Sequence, residues 1–188
     1  MAALTDDDAF VELIADGHHV HPALWGLIRR AKPVDRLILV SDALSLSGTG
    51  PGRTMVGATE VEVLEDRAVV AGTTTLAGSV MALDSMLRNL VRDGASLPAA
   101  ARAASTNPAA LLDVTDRGRL APGLRADLVE MGGDLMVRRV GGLDQRDGPG
   151  HDGGISAPHA VDVLLDGERS GHRRHTSGPL PRPRGPLP

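Results

Sequence analysis

The chain has 188 residues, a formal net charge of −4, 41 % hydrophobic residues and no cysteine. That is enough to bury one ordinary core and not basic enough for a nucleic-acid footprint, and it leaves only His, Asp and Glu as possible metal ligands. The acidic start MAALTDDDAF and the lack of any long apolar run predict neither an export signal nor a membrane span, so the expected compartment is the cytoplasm.

In chain order, Val11 to Ala15 is a short, mostly apolar run that ends in Asp16-Gly17. After His21-Pro22, Ala23 to Ala31 has helical spacing, with Leu24, Leu27 and Ile28 on one face. Leu37 to Val40 (LILV) is a continuous apolar run stopping at Ser41-Asp42-Ala43, the pattern of a strand buried on both faces of a parallel sheet. The Gly-rich stretch Ser45 to Arg53 reads as a loop. It leads into a hairpin built from Val61, Val63 and Leu64, a break at Glu65-Asp66-Arg67, and Val69-Val70.

A helix is expected over about Val80 to Val91, with Met81, Leu83, Met86, Leu87, Leu90 and Val91 as its apolar set, and a second over Leu97 to Ala104. Asn107-Pro108 reads as an N-cap and first helical proline, opening a short helix through Leu112. Gly118 to Met131 reads as two extended pieces around a Pro-Gly turn. Beyond Val140, 10 of the 23 glycines and 7 of the 13 prolines fall in 48 residues. Residues 141–188 are therefore expected to be a largely disordered tail, with one strand candidate at Val161 to Leu165.

Strand and helix signals alternate, so the expected fold class is α/β. In a parallel α/β array reactive groups gather at the C-terminal ends of the strands. Both polar clusters, Asp16 to His21 and Ser41-Asp42, fall at such ends. On position alone Asp42 is either a proton carrier or a helix-cap or turn carboxylate. His19 and His21 have the spacing of a His-x-His metal pair if extended, but the remaining candidate histidines, His151, His159, His172 and His175, all lie in the tail. Turn or surface histidines are the competing reading.

Three motifs carry a family resemblance: Asp16-Gly17-His18-His19-Val20, Leu39-Val40-Ser41-Asp42-Ala43 and Thr75-Leu76-Ala77-Gly78-Ser79. In this order and approximate spacing they resemble the N-acetylglucosamine-6-phosphate deacetylases of the amidohydrolase superfamily. Thr106-Asn107-Pro108-Ala109 and Gly118 to Gly123 with Arg125-Ala126-Asp127-Leu128 resemble features shared more widely among amidohydrolases. The first and third motifs argue against a deaminase or dihydroorotase.

The resemblance implies a partial (β/α)₈ TIM-like barrel comprising its C-terminal units over residues 1–117, with an inserted β-hairpin. Residues 118–140 would be strands of a small β domain, a remnant of a β-sandwich. It makes Asp42 the catalytic carboxylate, places His19 near the substrate's acetyl carbonyl as an oxyanion-stabilising donor, and has Ala77, Gly78 and Ser79 line the sugar pocket. His18 and His21 inherit no role, and Ser41 stands where the family usually has threonine. The family's divalent metal, zinc or iron, is held by residues upstream of this stretch, so no metal ligand is assigned here. The implied reaction is hydrolysis of N-acetylglucosamine 6-phosphate to glucosamine 6-phosphate and acetate.

A barrel needs about 250 residues. The expectation is therefore a C-terminal portion, inactive alone, that forms a homodimer or is completed by an N-terminal half. The alternative is a noncatalytic homologue that binds sugar phosphates or a partner.

Overall fold

A computed structural model describes residues 2–141 and the backbone of 162–165. The rest of the expected tail lies outside the described residues. Among the described residues the chain is mixed α/β, with three small sheets.

After a one-turn helix α1 (Ala2–Thr5), strand β1 (Val11–Leu13) leads through a bend and a 3₁₀ turn (Pro22–Leu24) into α2 (Trp25–Ala31), and then β2 (Leu37–Leu39). β1 and β2 pair in parallel, Val11 with Leu37 and Leu13 with Leu39. Both strands come from the apolar runs, as expected. Alternate residues Leu13, Leu37 and Leu39 join the main core with Trp25, Met86, Leu87 and Leu90.

The buried face of α2 differs from the expected one. Leu24 and Leu27 are 48 % and 50 % exposed, whereas Trp25 is buried and its indole N–H donates to the Val20 carbonyl at 3.0 Å. A single large ring with a satisfied polar end fixes the helix rotation more strongly than two leucines.

β3 (Gly52–Val56), β4 (Thr59–Val63) and β5 (Ala68–Val70) form an antiparallel sheet of their own. The β4–β5 hairpin is the predicted one. β3 was expected to be loop, at least over Gly52 and Arg53. It turns into β4 through a two-residue loop whose first position, Gly57, has φ 60°, as a II′ turn requires. Val61, Val63 and Ala68 pack here against Leu44, Leu46, Ala77 and Val80, a small core separate from the main one.

α3 (Leu83–Arg92) starts later than the periodicity predicted but buries the predicted Met86, Leu87 and Leu90. Its Arg88, 9 % exposed, donates to Asp84 at 2.7 Å and to the Leu135 carbonyl at 2.9 Å, tying the helix to the turn at residues 132–136 within the hairpin of Leu128–Met131 and Val137–Gly141.

α4 (Leu97–Ala101) runs through one π-helical stretch (Arg102–Thr106) into α5 (Asn107–Leu111). Asn107 is therefore helical, with φ −70° and ψ −41°, and is not the N-cap expected. The wider π turn sends its backbone N–H to the Arg102 carbonyl, which accommodates Pro108, a residue that can make no helical N–H bond. The Asn107 side chain reaches across to β2 instead, donating to the carbonyls of Val34 at 2.9 Å and Leu37 at 2.7 Å.

Ala121 to Leu124 is the expected Pro-Gly turn, with Gly123 at φ 86° and the Leu124 N–H donating to the Ala121 carbonyl. Of the two extended pieces flanking it, only the second is a strand. This strand, β6 (Leu128–Met131), pairs antiparallel with β7 (Val137–Gly141) and parallel with β8 (Asp162–Leu165). The strand candidate in the tail is thus present, and the third sheet takes in residues beyond the boundary expected at 140.

Candidate active site

Because β1 and β2 are parallel, their C-terminal ends open on one edge, and both polar clusters leave from it. The Val40 N–H donates to the Leu13 carbonyl at 3.1 Å, carrying the ladder one residue past β2. Asp42 follows at φ 47°, a left-handed conformation that Asp tolerates better than most residues and that turns the chain sharply off the strand. Its side chain is exposed and makes no hydrogen bond or ion pair among the described residues. It borders an open, largely apolar cavity of about 330 Å³, lined also by Glu12, Ile38, Ser41, Pro108 and Leu111. A free carboxylate at the mouth of a parallel sheet can exchange protons with a bound molecule. Another cavity, of about 210 Å³, lies among Arg29, Lys32, Leu37, Leu90, Ser96 and Ala103, and neither a carboxylate nor a histidine lines it.

The Thr75 to Ser79 segment is brought against Asp42 by backbone pairing. The Ser79 N–H donates to the Asp42 carbonyl at 2.8 Å, and the Ser79 carbonyl accepts from the Leu44 N–H at 2.9 Å. The Ser47 hydroxyl adds a second bond to the same Ser79 carbonyl, at 3.2 Å. Ser79 itself is buried and its hydroxyl accepts from the Met81 N–H, while Ala77 packs into the small core.

Gly78 has φ 99°, and a Cβ there would lie 3.1 Å from the Asp42 carbonyl oxygen and 3.0 Å from Leu44 Cδ2. Gly78→Ala combines backbone strain with a close contact. It should destabilise the fold by about 1 to 3 kcal/mol, read from the denaturant midpoint. An unchanged midpoint would mean that the segment relaxes freely away from Asp42.

The other cluster is organised by Asp16. Its Oδ1 accepts from the His18 N–H at 2.9 Å and the His19 N–H at 3.0 Å, closing an Asx turn, and its Oδ2 lies 2.8 Å from His19 Nδ1. Burial alone would push this carboxyl up. The N–H donors of His19 and His18 and the His19 ring outweigh it and hold the group below the ordinary carboxylate range. Asp16 is a residue the sequence reading placed in a motif without giving it a role. The signal was available, since an Asp followed at two and three residues by chain that must bend is a common Asx-turn pattern.

His18 and His21 are engaged elsewhere. His18 Nε2 sits 3.4 Å from Asp66 Oδ2 at the β4–β5 turn, so it links this loop to the inserted sheet. His21 Nδ1 accepts from the Ala23 N–H at the start of the 3₁₀ turn. Residues 16–20 form a bend and not an extended strand, so His19 and His21 do not make the metal pair that their spacing allowed. Among the described residues no three His, Asp or Glu side chains converge to hold a metal, and these residues do not fit a divalent-metal site.

No family model matches the chain. It is 41 % identical over 130 residues to the N-acetylglucosamine-6-phosphate deacetylase of Danio rerio, covering 68 % of this chain and 32 % of that protein. It is 38 % identical over 141 residues to a putative N-acetylgalactosamine-6-phosphate deacetylase of Escherichia coli K12, covering 74 % of this chain and 83 % of that one. Among solved structures, a mutant N-acetyl-D-glucosamine-6-phosphate deacetylase of Mycobacterium smegmatis in complex with N-acetyl-D-glucosamine 6-phosphate superposes with TM-score 0.70 at 36 % identity. That match covers 74 % of this chain and 38 % of the other. The chain thus spans about a third of the length of the Danio rerio relative. No helix among the described residues is long and apolar enough to cross a membrane. With its three motifs gathered at one edge of the parallel strands, the chain belongs to the N-acetylglucosamine-6-phosphate deacetylase family.

Proposed function

We propose that this chain is the C-terminal portion of a deacetylase that hydrolyses the amide of N-acetylglucosamine 6-phosphate to glucosamine 6-phosphate and acetate, and that it is inactive alone. Residues 1–117 supply the last units of a partial (β/α)₈ barrel and the inserted sheet, and 118–140 supply strands of the small β domain. The observation that carries the reading is Asp42, an unpaired carboxylate at the C-terminal edge of parallel strands and beside an open cavity.

In this reading Asp42 takes a proton from the attacking water and passes one to the departing amine, and His19 contacts the substrate at the acetyl group. Ala77, Gly78 and Ser79 border the sugar chiefly through backbone, because the Ser79 hydroxyl is committed to Met81. A zinc or iron ion, expected from the family, is held by residues of the N-terminal half.

The completing partner is that half, within one subunit or across a homodimer. Leu111 and Leu112, 44 % and 71 % exposed at the end of α5, offer apolar surface for it. The experiment is acetate release from N-acetylglucosamine 6-phosphate and from its galactosamine epimer, with added Zn²⁺. The chain is assayed alone and mixed with a family N-terminal half. Turnover in the mixture only is the expected result. Turnover in neither overturns the reading in favour of a noncatalytic homologue, and turnover by the chain alone overturns the claim that it lacks part of the site.

A further inference from the structure

We propose that Asp16 is a positioning residue that locks His19 as its Nδ1–H tautomer, so that the neutral ring offers Nε2 to a bound molecule as a hydrogen-bond acceptor. The functional half of this inference rests on the proposed deacetylase reading. The tautomer itself stands on geometry alone.

Every polar atom of the pair is accounted for. Asp16 is buried, and Oδ1 is occupied by the two backbone N–H groups of His18 and His19, at 2.9 and 3.0 Å. Oδ2 faces His19 Nδ1 at 2.8 Å. A carboxylate can only accept, so Nδ1 must carry the proton. A protonated Asp16 could reverse the arrangement, but the same three contacts hold the carboxyl below the ordinary range, in its ionised form. His19 Nε2 has no partner among the described residues, and the ring is partly exposed.

The consequence concerns which substrate group His19 can meet. With its one proton on Nδ1, neutral His19 has only a lone pair at Nε2, which suits an N–H or O–H donor such as the substrate amide or a sugar hydroxyl. The donor role toward the acetyl carbonyl, expected from the family resemblance, belongs to the imidazolium alone. Asp16 and His19 thus form a carboxylate–imidazole pair in which the carboxylate sets tautomer and ring orientation, as second partners of catalytic histidines generally do.

The test is ¹⁵N NMR of the imidazoles in the intact chain at a pH where His19 is neutral, with His19→Gln identifying its signals. The expected wild-type spectrum has a protonated Nδ1 and an unprotonated Nε2 for His19. Asp16→Asn keeps an oxygen for the two backbone donors but turns an N–H₂ toward Nδ1. It should therefore invert the tautomer, moving the proton to Nε2 and exchanging the two nitrogen shifts. A residue that only held the turn would leave the shifts as they were. An Nε2–H tautomer or an averaged pair of signals in the wild type overturns the proposal, even if the Asn variant fails to fold. So does an unchanged tautomer in a folded Asn variant. None of these readings depends on turnover, so loss of the deacetylase reading would leave the tautomer result intact.

Discussion

Asp42→Asn should lower acetate release by the completed enzyme about 10²- to 10⁴-fold while leaving the fold of this chain unchanged, the range usual for loss of a positioned proton carrier. The separation of the two effects follows from how Asp42 sits. Its carboxylate is exposed and makes no hydrogen bond or ion pair with any described residue, so none is lost with the charge. Asn has the same shape and tolerates the left-handed φ of 47° nearly as well, so the turn that joins β2 to the Thr75 to Ser79 segment persists.

The denaturation midpoint of the Asn variant should stay within about 0.5 kcal/mol of wild type, as for surface substitutions in general. Asp42→Ala gives the contrast. It should lose the same activity but also cost about 1 to 2 kcal/mol, because alanine pays for the left-handed backbone. Undiminished turnover by the Asn variant would remove Asp42 from the chemistry and leave it a turn residue.

The parts of this arrangement legible in the sequence are those set by local pattern. Leu37 to Val40 reads as a buried strand because nothing polar interrupts it, and the edge on which Asp42 emerges follows from the strand direction. The apolar period of α3 is equally direct. What escaped were features decided by partners distant in the chain.

β3 has only Met55 and Val56 as strand-like apolar residues and both are exposed, so its pairing with β4, not its own burial, makes it a strand. The helical face of α2 is chosen by Trp25 finding the Val20 carbonyl. The His-x-His spacing of His19 and His21 fitted a strand, but Asp16 bends the chain before a strand can form and takes His19 for itself. The Asn-Pro dipeptide has the composition of a helix start. Here a π turn lets the helix continue through it, and the asparagine is free to work elsewhere.

That asparagine should be among the costliest side chains to remove. Asn107→Ala is expected to destabilise the chain by about 2 to 4 kcal/mol, since it strands the buried carbonyl of Leu37, worth about 1 to 3 kcal/mol when left without a partner, and removes the part-buried bond to the Val34 carbonyl, worth about 0.5 to 1.5 kcal/mol. Asn107 is 1 % exposed, and its two bonds, at 2.9 and 2.7 Å, join residues 73 and 70 positions apart. They hold the α4–α5 helix to the start of β2, the strand that delivers Asp42.

Urea denaturation should show a lower midpoint at nearly constant slope, the signature of lost stability without a change in the surface exposed on unfolding. Asn107→Asp should be worse than Asn107→Ala, because it sets a buried carboxylate against two carbonyl oxygens with no donor between them. An alanine variant within about 0.5 kcal/mol of wild type would show that water replaces the amide in both bonds, and the helix would then be held by apolar packing alone.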